Sequence, residues 1–473
     1  MSDVTPARID GEAVTSSEVS EVHSPYDGRV VGAVPRLDES HIDRAVAVAK
    51  ERHRGGRLPA HERAAILDRA AVLLGERLEE FAQSISVESA KAIATARVEA
   101  SRAVDTLRFS AAVARTLTGE TIPMDASPAG EGKFAFVQRV PIGVVAAISP
   151  FNFPLNLVCH KIAPAVAAGC PVVLKPASAT PLTALRIAAL FEEAGLPPGW
   201  INVVTAPGSV ANHLVEHPDV AMITFTGSPE VGWGIRARAP RVPVSLELGN
   251  NAPVIIEPDG DLASAATKIT AAGYSFSGQS CISVQRVYAH RSIHGELLDA
   301  LAEKVSRIVV GDPADPATQV SALIKGSESD RVASWVEEAT AGGATLVVGG
   351  GRDDHGVVRP VLLDGVTADM EVCRSEVFGP VVGVMAYDRY EEAIAAANDT
   401  RYGLQAGVFT SDISKAFAAA DRLDFGGVTV NEVPTWRADQ MPYGGIRDSG
   451  NTREGPAYAV EEMTERRLVV IQK

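Results

Sequence analysis

The sequence is poor in cysteine, with four in 473 residues, and this scarcity excludes a disulfide framework. The four residues, Cys159, Cys170, Cys281 and Cys373, show no Cys-x-x-Cys pair and no cysteine–histidine spacing typical of a metal site. Histidines and carboxylates form no such pattern either, so we predict that the protein binds no metal. We expect a reduced, cytoplasmic protein in which most thiols are buried.

Long apolar runs are also missing. No window reaches the roughly 18 consecutive apolar residues of a membrane span, because Pro164, Gly169 and Pro171 interrupt the longest candidate, residues 162–174. The opening residues MSDVTPARIDGEAV lack the basic start and the apolar core of a secretory signal. We therefore expect neither export nor a membrane partner.

Positive charge is in deficit as well. Lysine and arginine together number 44 against 59 aspartates and glutamates, which gives a net charge of −15. An acidic chain without a basic run is a poor candidate for binding nucleic acid or an anionic membrane, so we expect neither partner. At roughly 100–200 residues per domain, the length corresponds to two or three domains with ample core.

Short apolar segments alternate with helical ones from residue 143 onward. Before this point, residues 39–118 show apolar side chains at helical spacing, which predicts a run of amphipathic helices. A first alternating stretch has predicted strands at residues 143–148, 171–175, 201–205, 221–225 and 243–247. A second stretch, residues 253–431, repeats the alternation. This pattern predicts an α/β fold with parallel sheets, which bind nucleotides beyond the carboxyl ends of their strands.

Two further apolar segments lie outside these stretches, at residues 133–140 and 467–471. Each has the composition of a β-strand. We predict that the two strands belong to a small extension used for the assembly of subunits.

Cys281 differs from the other cysteines because small polar residues surround it, in SGQSCIS. Glycine leaves room for a close approach to the thiol, which suits a nucleophile. The alternative is a structural core cysteine, which is what the apolar or helical surroundings of Cys159 and Cys170 indicate for those two residues.

Polar residues follow several of the predicted strands. Asn152, in SPFNFP, is either a rigid oxyanion donor or a turn asparagine that binds its own backbone. Lys175 ends the next strand, in KPAS, and is either a ligand of ribose or phosphate oxygens or a solvated lysine. Gly227 and Ser228, in FTGS, open a helix whose backbone amides suit a phosphate.

Two glutamates have ambiguous local patterns. Glu247, in LELGN, ends a strand, where burial would raise its carboxyl pKa towards neutrality and make it a usable general base. A structural ion pair is the alternative for this residue. Glu376, in EVFGP, precedes a buried strand and is equally open to both interpretations.

Taken in order, the segments FNFP, KPAS, FTGS, LELGN, GQSC and EVFGP resemble the motif series of the aldehyde dehydrogenase superfamily. The resemblance runs from about residue 20 to the C-terminus. The stretch VPTWRADQMPYGG, residues 433–445, is more similar to the lactaldehyde and phosphonoacetaldehyde type than to the betaine aldehyde type.

The resemblance implies a role for each matching residue. Cys281 matches the nucleophile, Asn152 the side-chain oxyanion donor and Glu247 the general base. The cofactor-binding positions that it implies are Lys175, Ser178, Gly227, Ser228, Glu376 and Phe378. The substrate contacts that it implies are Phe153, Asn156, Leu157, His160, Ser280, Ile282 and Arg437.

The implied reaction oxidises an aldehyde to a carboxylate with NADP or NAD. A Cys281 thiohemiacetal becomes a thioester, which is hydrolysed by water that Glu247 activates. The thiol must ionise near neutral pH, so we expect its surroundings to lower its pKa. Two alternatives are a CoA-acylating dehydrogenase, against which Glu247 argues, and a non-catalytic binding or structural protein, against which the complete set of catalytic residues argues.

Two departures from the family pattern matter. Asn250 stands in LELGN where the family commonly has glycine, and asparagine tolerates a left-handed backbone well enough for the turn to survive. Ser178 stands where strictly NAD-using members often carry glutamate. Because serine neither repels a 2′-phosphate nor excludes NAD, we expect the enzyme to use both cofactors.

The resemblance also implies a subunit of three parts and assembly into a homodimer or homotetramer. A Rossmann-type cofactor domain would hold residues 1–118 and 141–249. An α/β catalytic domain would hold residues 250–445. Residues 119–140 and 446–473 would form the oligomerisation segments, which agrees with the two isolated strands.

Arg437 lies in the loop that should line the substrate entrance. If its side chain points inward, it favours an aldehyde that bears a carboxylate or a phosphonate. The alternative is a solvated loop arginine. His160 argues against an acidic substrate, because it stands where carboxylate-binding relatives can carry arginine.

Overall fold

The structure is a computed structural model that describes residues 4–472. It begins with short strands followed by consecutive helices: β1 (Ala7–Ile9), β2 (Glu12–Val14), β3 (Val19–His23), β4 (Val30–Pro35), α1 (Glu39–Arg54), α2 (Ala60–Glu76), α3 (Leu78–Ser89) and α4 (Ile93–Thr116). The run of helices predicted for residues 39–118 is therefore present. The start of α1 is capped by Asp38, whose carboxylate accepts a hydrogen bond from the His41 amide.

Strands and helices then alternate as the apolar segments predict. The elements are β5 (Glu120–Ile122), β6 (Lys133–Pro141), β7 (Val144–Ile148), α5 (Asn156–Ala168), β8 (Val172–Lys175), α6 (Leu182–Glu193), β9 (Ile201–Val203), α7 (Gly208–Glu216), β10 (Val220–Thr226), α8 (Pro229–Arg238) and β11 (Val244–Glu247). Every strand predicted between residues 143 and 247 is present, with ends shifted by one or two residues.

The second alternating stretch is followed by a short helix and a terminal strand. Its elements are β12 (Pro253–Ile256), α9 (Leu262–Tyr274), β13 (Arg286–His290), α10 (His294–Val305), α11 (Gly326–Ala341), β14 (Thr345–Val348), β15 (Val361–Asp364), α12 (Glu371–Arg374), β16 (Val381–Tyr387), α13 (Tyr390–Asn398), β17 (Gln405–Phe409), α14 (Ile413–Arg422), β18 (Gly427–Val430), α15 (Pro456–Glu462) and β19 (Thr464–Gln472).

The first large sheet has the strand order β11-β10-β7-β8-β9-β1-β2. Its strands from β7 to β11 pair in parallel, and β1 and β2 add an antiparallel edge. Residues 144–148 are buried throughout, as are residues 172–175, because helices cover both faces of the sheet. Parallel strands of this kind bring their carboxyl ends to one edge, which here carries Asn152, Lys175, Ser228 and Glu247.

The second large sheet has the order β14-β15-β16-β13-β12-β17-β18. It is parallel except for the antiparallel pair β14–β15. Cys281 lies in the segment between α9 and β13, so the nucleophile candidate stands at the amino end of a central strand of this sheet.

A smaller sheet joins the two isolated strands of the sequence. β19 pairs antiparallel with β6 along the whole of both strands, and β5 adds a third strand on the far side of β6. The terminal strand is longer than predicted, since it begins at Thr464. The exact domain boundaries given above stay a prediction.

The described residues lack membrane-spanning helices and metal-binding clusters. Among residues 4–472, no helix is long and apolar enough to cross a membrane. The same residues hold no group of three or more histidine, cysteine, aspartate or glutamate side chains arranged to bind a metal ion.

Candidate active site

A cleft of about 900 Å³ opens where the carboxyl edge of the first sheet meets the Cys281 segment. Its lining brings together eight of the residues singled out in the sequence: Asn152, Leu157, Ser178, Gly227, Ser228, Cys281, Glu376 and Phe378. These residues come from six separate loops and helix starts. The cleft is therefore large enough for a dinucleotide-sized ligand and has a thiol in its wall.

The segment before Cys281 has an unusual backbone. Phe276 and Ser277 have φ of 48° and 56°, and Gly278 continues the left-handed run at 75°. A Cβ atom on Gly278 would lie 2.0 Å from the main-chain oxygen of Gly379, so only glycine fits there. Non-glycine residues with positive φ are uncommon and cluster at functional sites, which fits the placement of Cys281 at the end of this segment.

Cys281 is the partly exposed thiol among the four cysteines, all of which lie in the described residues. Burial raises its pKa to about 12, and Glu376 and Glu247 act in the same direction. The expectation of a lowered pKa is therefore wrong for the protein without bound ligands. The groups that lower the pKa are the hydroxyl of Tyr443, whose oxygen is 3.0 Å from the sulfur, and the guanidinium of Arg437.

Asn152 lies in the loop after β7 and is almost fully buried. Its side-chain amide donates to the main-chain oxygen of Gln279 at 3.0 Å, two residues before the nucleophile candidate. The Oδ1 atom is buried without a hydrogen-bond partner among the described residues. The amide nitrogen thus already points at the Cys281 segment, where an oxyanion donor is needed.

Glu247 ends β11 and is 4% exposed, and neither carboxylate oxygen has a hydrogen-bond partner within residues 4–472. Burial raises its pKa well above the ordinary value, and the nearby charge of Glu454 adds to this shift. Arg437, Lys161 and Arg453 oppose it. The direction of this shift agrees with the sequence-based expectation that burial raises the Glu247 pKa.

The cofactor candidates differ in how they face the cleft. Ser178 is exposed in its lining, whereas Lys175 is buried and donates to the main-chain oxygen of Pro176 at 3.1 Å. Burial lowers the Lys175 pKa to about 8. Ser228 caps α8 by accepting from the Val231 amide, and Gly227 lies directly before it. The amino end of α8 therefore borders the cleft.

Glu376 and Phe378 also line the cleft. Burial raises the Glu376 pKa to about 7, and one carboxylate oxygen accepts from the Asn250 amide at 3.0 Å. Phe378 has a positive φ of 47°, and its ring meets that of Phe151 edge to face at 5.8 Å. Within residues 4–472, Asn250 is not among the residues with positive φ, so the left-handed tolerance invoked for it is not needed.

The predicted substrate residues fall into two groups. Leu157 lines the cleft, and Ile282 packs with Tyr443, Leu404 and Cys281 in a small apolar cluster. Ser280 is buried beneath the nucleophile segment, where its amide donates to the Gly278 oxygen. The ring of Phe153 faces Phe276 edge to face at 6.5 Å.

The second group is polar and centres on Asp439. The Asn156 side-chain amide donates a hydrogen bond to the Asp439 carboxylate at 3.0 Å. The Nε2 atom of His160 forms a hydrogen bond with the same carboxylate oxygen, also at 3.0 Å. Arg102 binds the same carboxylate in a bidentate pair through Nε and Nη2. The hydrogen bond with His160 and the charge of Arg102 keep the Asp439 pKa low, against the effect of burial. His160 itself is buried, which lowers its pKa and favours the neutral ring.

Arg437 belongs to this polar group and is not a solvated loop residue. Its side chain is buried, and its Nη2 donates to Glu454 at 2.9 Å. The guanidinium also lies 3.9 Å from the centre of the Tyr443 ring. The alternative of a solvated loop arginine is therefore wrong, whereas the expected preference for an acidic aldehyde stays a prediction, with the Arg437 guanidinium already paired with a carboxylate.

Sequence reasoning missed Tyr443, Arg102, Asp439 and the buried pair Lys91–Glu99. The stretch VPTWRADQMPYGG held a signal for two of them, since a tyrosine and an aspartate among apolar residues need partners when buried. No local pattern marks Arg102, whose side chain reaches Asp439 from helix α4.

Comparison with known proteins identifies the family. The sequence profile of the aldehyde dehydrogenase family matches residues 13–469. The chain belongs to this family. It is an enzyme, and its reaction class is the oxidation of an aldehyde. The reading as a non-catalytic protein is set aside by this membership.

Individual relatives of this aldehyde dehydrogenase are similar over nearly their whole length. A 3-sulfolactaldehyde dehydrogenase of Priestia aryabhattai is 46% identical over 464 residues, which cover 98% of this chain and 97% of the relative. An NADP-dependent glyceraldehyde-3-phosphate dehydrogenase of Bacillus halodurans C-125, solved with NADP, is 36% identical with a TM-score of 0.97 and 99% coverage of each chain. An NAD-dependent aldehyde dehydrogenase of Sinorhizobium meliloti is 34% identical with a TM-score of 0.96, covering 100% of this chain and 95% of that one.

Proposed function

We propose that the protein is a hydrolytic aldehyde dehydrogenase that uses NADP or NAD, with Cys281 as nucleophile, Asn152 as oxyanion donor and Glu247 as general base. The observation that carries the proposal is the shared cleft. The Cys281 thiol opens into the same 900 Å³ space as Ser178, Ser228 and Glu376. A nucleotide bound along this wall would end beside the thiol.

The residues of the cleft fit a nicotinamide dinucleotide. The amino end of α8 offers backbone amides to a pyrophosphate. The Glu376 carboxylate is a suitable acceptor for ribose hydroxyls. The Lys175 ammonium donates to a main-chain oxygen and has no carboxylate partner within residues 4–472. When bound, the nicotinamide ring supplies the acceptor for the hydride.

The remaining chemistry belongs to residues of the chain. The Cys281 thiolate forms a C–S bond with the aldehyde carbon, and the carbonyl electron pair moves to oxygen. The Asn152 amide and the Cys281 backbone N–H stabilise this oxyanion. Loss of hydride leaves a thioester. Glu247 then takes a proton from water, whose oxygen attacks the thioester, and the C–S bond breaks to release the carboxylate and the thiolate.

Glu247 supports the hydrolytic reaction over transfer of the acyl group to CoA. A thiol acceptor needs no such base, whereas water does. Gly444 packs closely beside this carboxylate: a Cβ atom at position 444 would lie 2.0 Å from the Thr452 main-chain oxygen and 2.8 Å from a Glu247 oxygen.

The proposal is tested by following the absorbance of reduced nicotinamide with a panel of aldehydes, with and without CoA. Turnover without CoA and formation of the free acid are expected. Turnover that requires CoA, with the acyl-CoA as product, would replace the hydrolytic assignment by the acylating one. Silence with every aldehyde despite tight cofactor binding would contradict the proposed site.

For the substrate, we propose a short 2-hydroxyaldehyde that bears an anionic group on its third carbon. The compounds named in two of the relatives, 3-sulfolactaldehyde and glyceraldehyde 3-phosphate, share this chemistry. In this chain, Arg102 is the partly exposed cation of the polar group around Asp439. Its Nε and Nη2 atoms bind the Asp439 carboxylate, and its Nη1 atom takes no part in that pair. A guanidinium edge of this kind binds a sulfonate or a phosphate oxygen by charge-assisted hydrogen bonds.

The test compares kcat/KM for 3-sulfolactaldehyde, lactaldehyde and glyceraldehyde 3-phosphate in the wild type and in Arg102→Gln. The anionic aldehydes should be preferred, and the variant should raise their KM while leaving that for lactaldehyde nearly unchanged. If the wild type has the same kcat/KM for lactaldehyde as for the anionic aldehydes, the proposed substrate class is contradicted but the proposed reaction is not.

We also propose a homo-oligomer, dimeric or tetrameric, assembled through residues 119–140 and 446–473. β19 is an edge strand whose side chains Leu468, Val470 and Ile471 are about half exposed. An exposed apolar edge of this length favours pairing with another chain, here a second copy. Light scattering should give a particle mass that is a multiple of the 49.6 kDa subunit mass. The substitution Leu468→Lys should lower this particle mass.

A further inference from the structure

We propose that Tyr443 is a further catalytic residue, whose hydroxyl donates a hydrogen bond to the Cys281 thiolate and thereby favours its formation. The inference rests on the proposed role of Cys281 as nucleophile. It starts from one contact: the Tyr443 hydroxyl oxygen lies 3.0 Å from the Cys281 sulfur. At this distance a hydrogen bond joins the two groups.

The direction of the hydrogen bond follows from the acidities of the two groups. An ordinary thiol loses its proton more readily than a phenol, with pKa values of about 8.5 and 10. Burial raises the pKa of Tyr443 well above its usual range, so the phenol keeps its proton. Once Cys281 ionises, the phenol O–H is the donor and the sulfur is the acceptor.

Tyr443 is held in place by the chain around it. Its backbone pairs with that of Glu454, because each residue's amide donates to the other's carbonyl. Glu454 in turn accepts from Arg437, whose guanidinium lies over the Tyr443 ring at 3.9 Å. The cation on the ring face and the fixed backbone keep the hydroxyl aimed at the sulfur.

The surroundings give this hydrogen bond unusual importance. Cys281 and Tyr443 lie in an apolar cluster with Ile282, Leu404 and Met441, where a thiolate is poorly solvated. Glu376 and Glu247 oppose ionisation further, while Tyr443 and Arg437 favour it. A phenylalanine at position 443 would keep the ring under Arg437 and remove only the donor.

The experiment measures the rate at which iodoacetamide alkylates Cys281 as a function of pH, with mass spectrometry to identify the modified thiol. In Tyr443→Phe alkylation at each pH below the thiol pKa should be about tenfold slower, because loss of the donor raises that pKa by about one unit. Cofactor binding should not change. Tyr288→Phe is the matched control, since this buried tyrosine on β13 donates to the Ala396 oxygen away from the thiol.

A second variant keeps the test sound if Tyr443→Phe folds poorly. Incorporation of 3-fluorotyrosine at position 443 makes the phenol a stronger donor and should speed alkylation at the same pH. An unchanged rate in both proteins, or changes of the opposite sign, would overturn the inference. If alkylation of Cys281 in the wild type leaves aldehyde oxidation intact, it is the nucleophile assignment that fails.

Discussion

The ammonium group of Lys91 lies 2.7 Å from the main-chain oxygen of Asn152 and donates a hydrogen bond to it, although Lys91 is completely buried. The same nitrogen stands over the rings of Phe153 and Phe276, at 3.8 Å and 4.4 Å from their centres. One side chain thus contacts both the loop that carries Asn152 and the segment that leads to Cys281.

Glu99 completes this arrangement. Its carboxylate pairs with Lys91 and accepts from the backbone amides of Leu155 and Asn156, at 3.0 Å and 3.2 Å. The buried ion pair therefore fixes the loop after β7 from within. Because a buried ion pair alone seldom adds net stability, we expect its contribution to the enzyme to be the position of Asn152.

The first prediction concerns this pair. Lys91→Met leaves Glu99 as an unpaired buried charge and should cost about 3–5 kcal/mol of unfolding free energy. The double variant Lys91→Met/Glu99→Gln should regain most of that stability, while kcat stays at least about tenfold below wild type because the loop is no longer anchored. Denaturant unfolding and steady-state kinetics measure the two effects. A double variant with full kcat would show that the pair serves stability alone.

The second prediction separates the cysteines. Cys281→Ala should abolish aldehyde oxidation and leave folding and cofactor binding intact, because the covalent step cannot begin without the thiolate. Cys159→Ala is the control, since this thiol is buried in the core and should cost only about 1–2 kcal/mol of stability. Reduction of the cofactor measures turnover, and fluorescence measures cofactor binding. Residual turnover above about a tenth of wild type would place the nucleophile elsewhere.

The third prediction concerns the step that Glu247 serves. In Glu247→Gln the thioester should form, but its hydrolysis should stall, because the amide cannot accept a proton from water. Rapid mixing should show a burst of reduced cofactor close to one per subunit, followed by almost no turnover. Added small thiols should restore turnover by accepting the acyl group. A variant that lacks the burst itself would show that Glu247 also takes the Cys281 proton.

The fourth prediction is a dependence on pH. The raised pKa of Glu247 means that its carboxyl group is protonated, and inactive as a base, until the pH rises through that pKa. Where thioester hydrolysis limits turnover, kcat should therefore increase with pH and then level off. The rise should be absent in Glu247→Gln. A kcat that falls as the pH rises through neutrality would contradict this sign.

Much of the fold could be predicted because its strands are short apolar runs between turns, as in β7 and β8. The strands β12 and β15 were not predicted. Each has four residues, and β12 follows the LELGN turn so closely that no helical spacer marks it off. Whether such a short segment forms a strand depends on its pairing with distant segments, and the local sequence pattern contains no information on that pairing.

The site shows the same division. The motifs singled out Cys281, Asn152 and Glu247 as candidates, because each lies at the end of a recognisable strand or loop. The contact of Cys281 with Tyr443 spans 162 residues, and that of Arg102 with Asp439 spans 337. The sign of the Cys281 pKa shift was missed for the same reason, since the burial that causes it comes from side chains far along the chain.

The last prediction concerns the choice of cofactor, and it rests on Ser178 and Lys175. Ser178 is exposed in the cleft wall, and Lys175 is a cation with a lowered pKa of about 8 and a main-chain oxygen as its partner. A 2′-phosphate bound near them would carry about −1.5 to −2 charges and would stabilise the charged lysine. NADP should therefore be used at least as well as NAD, measured as kcat/KM at one saturating aldehyde.

A carboxylate at position 178 reverses this preference. At ~4 Å and an effective dielectric constant of ~20, one pair of like charges costs about 4 kcal/mol, an upper bound for a partly solvated site. Ser178→Glu should lower kcat/KM for NADP by about a hundredfold or more and leave that for NAD largely intact, whereas the neutral Ser178→Gln should spare both. If the wild type already prefers NAD by more than about a hundredfold, a group other than residue 178 excludes the phosphate, and the repulsion argument fails for this enzyme.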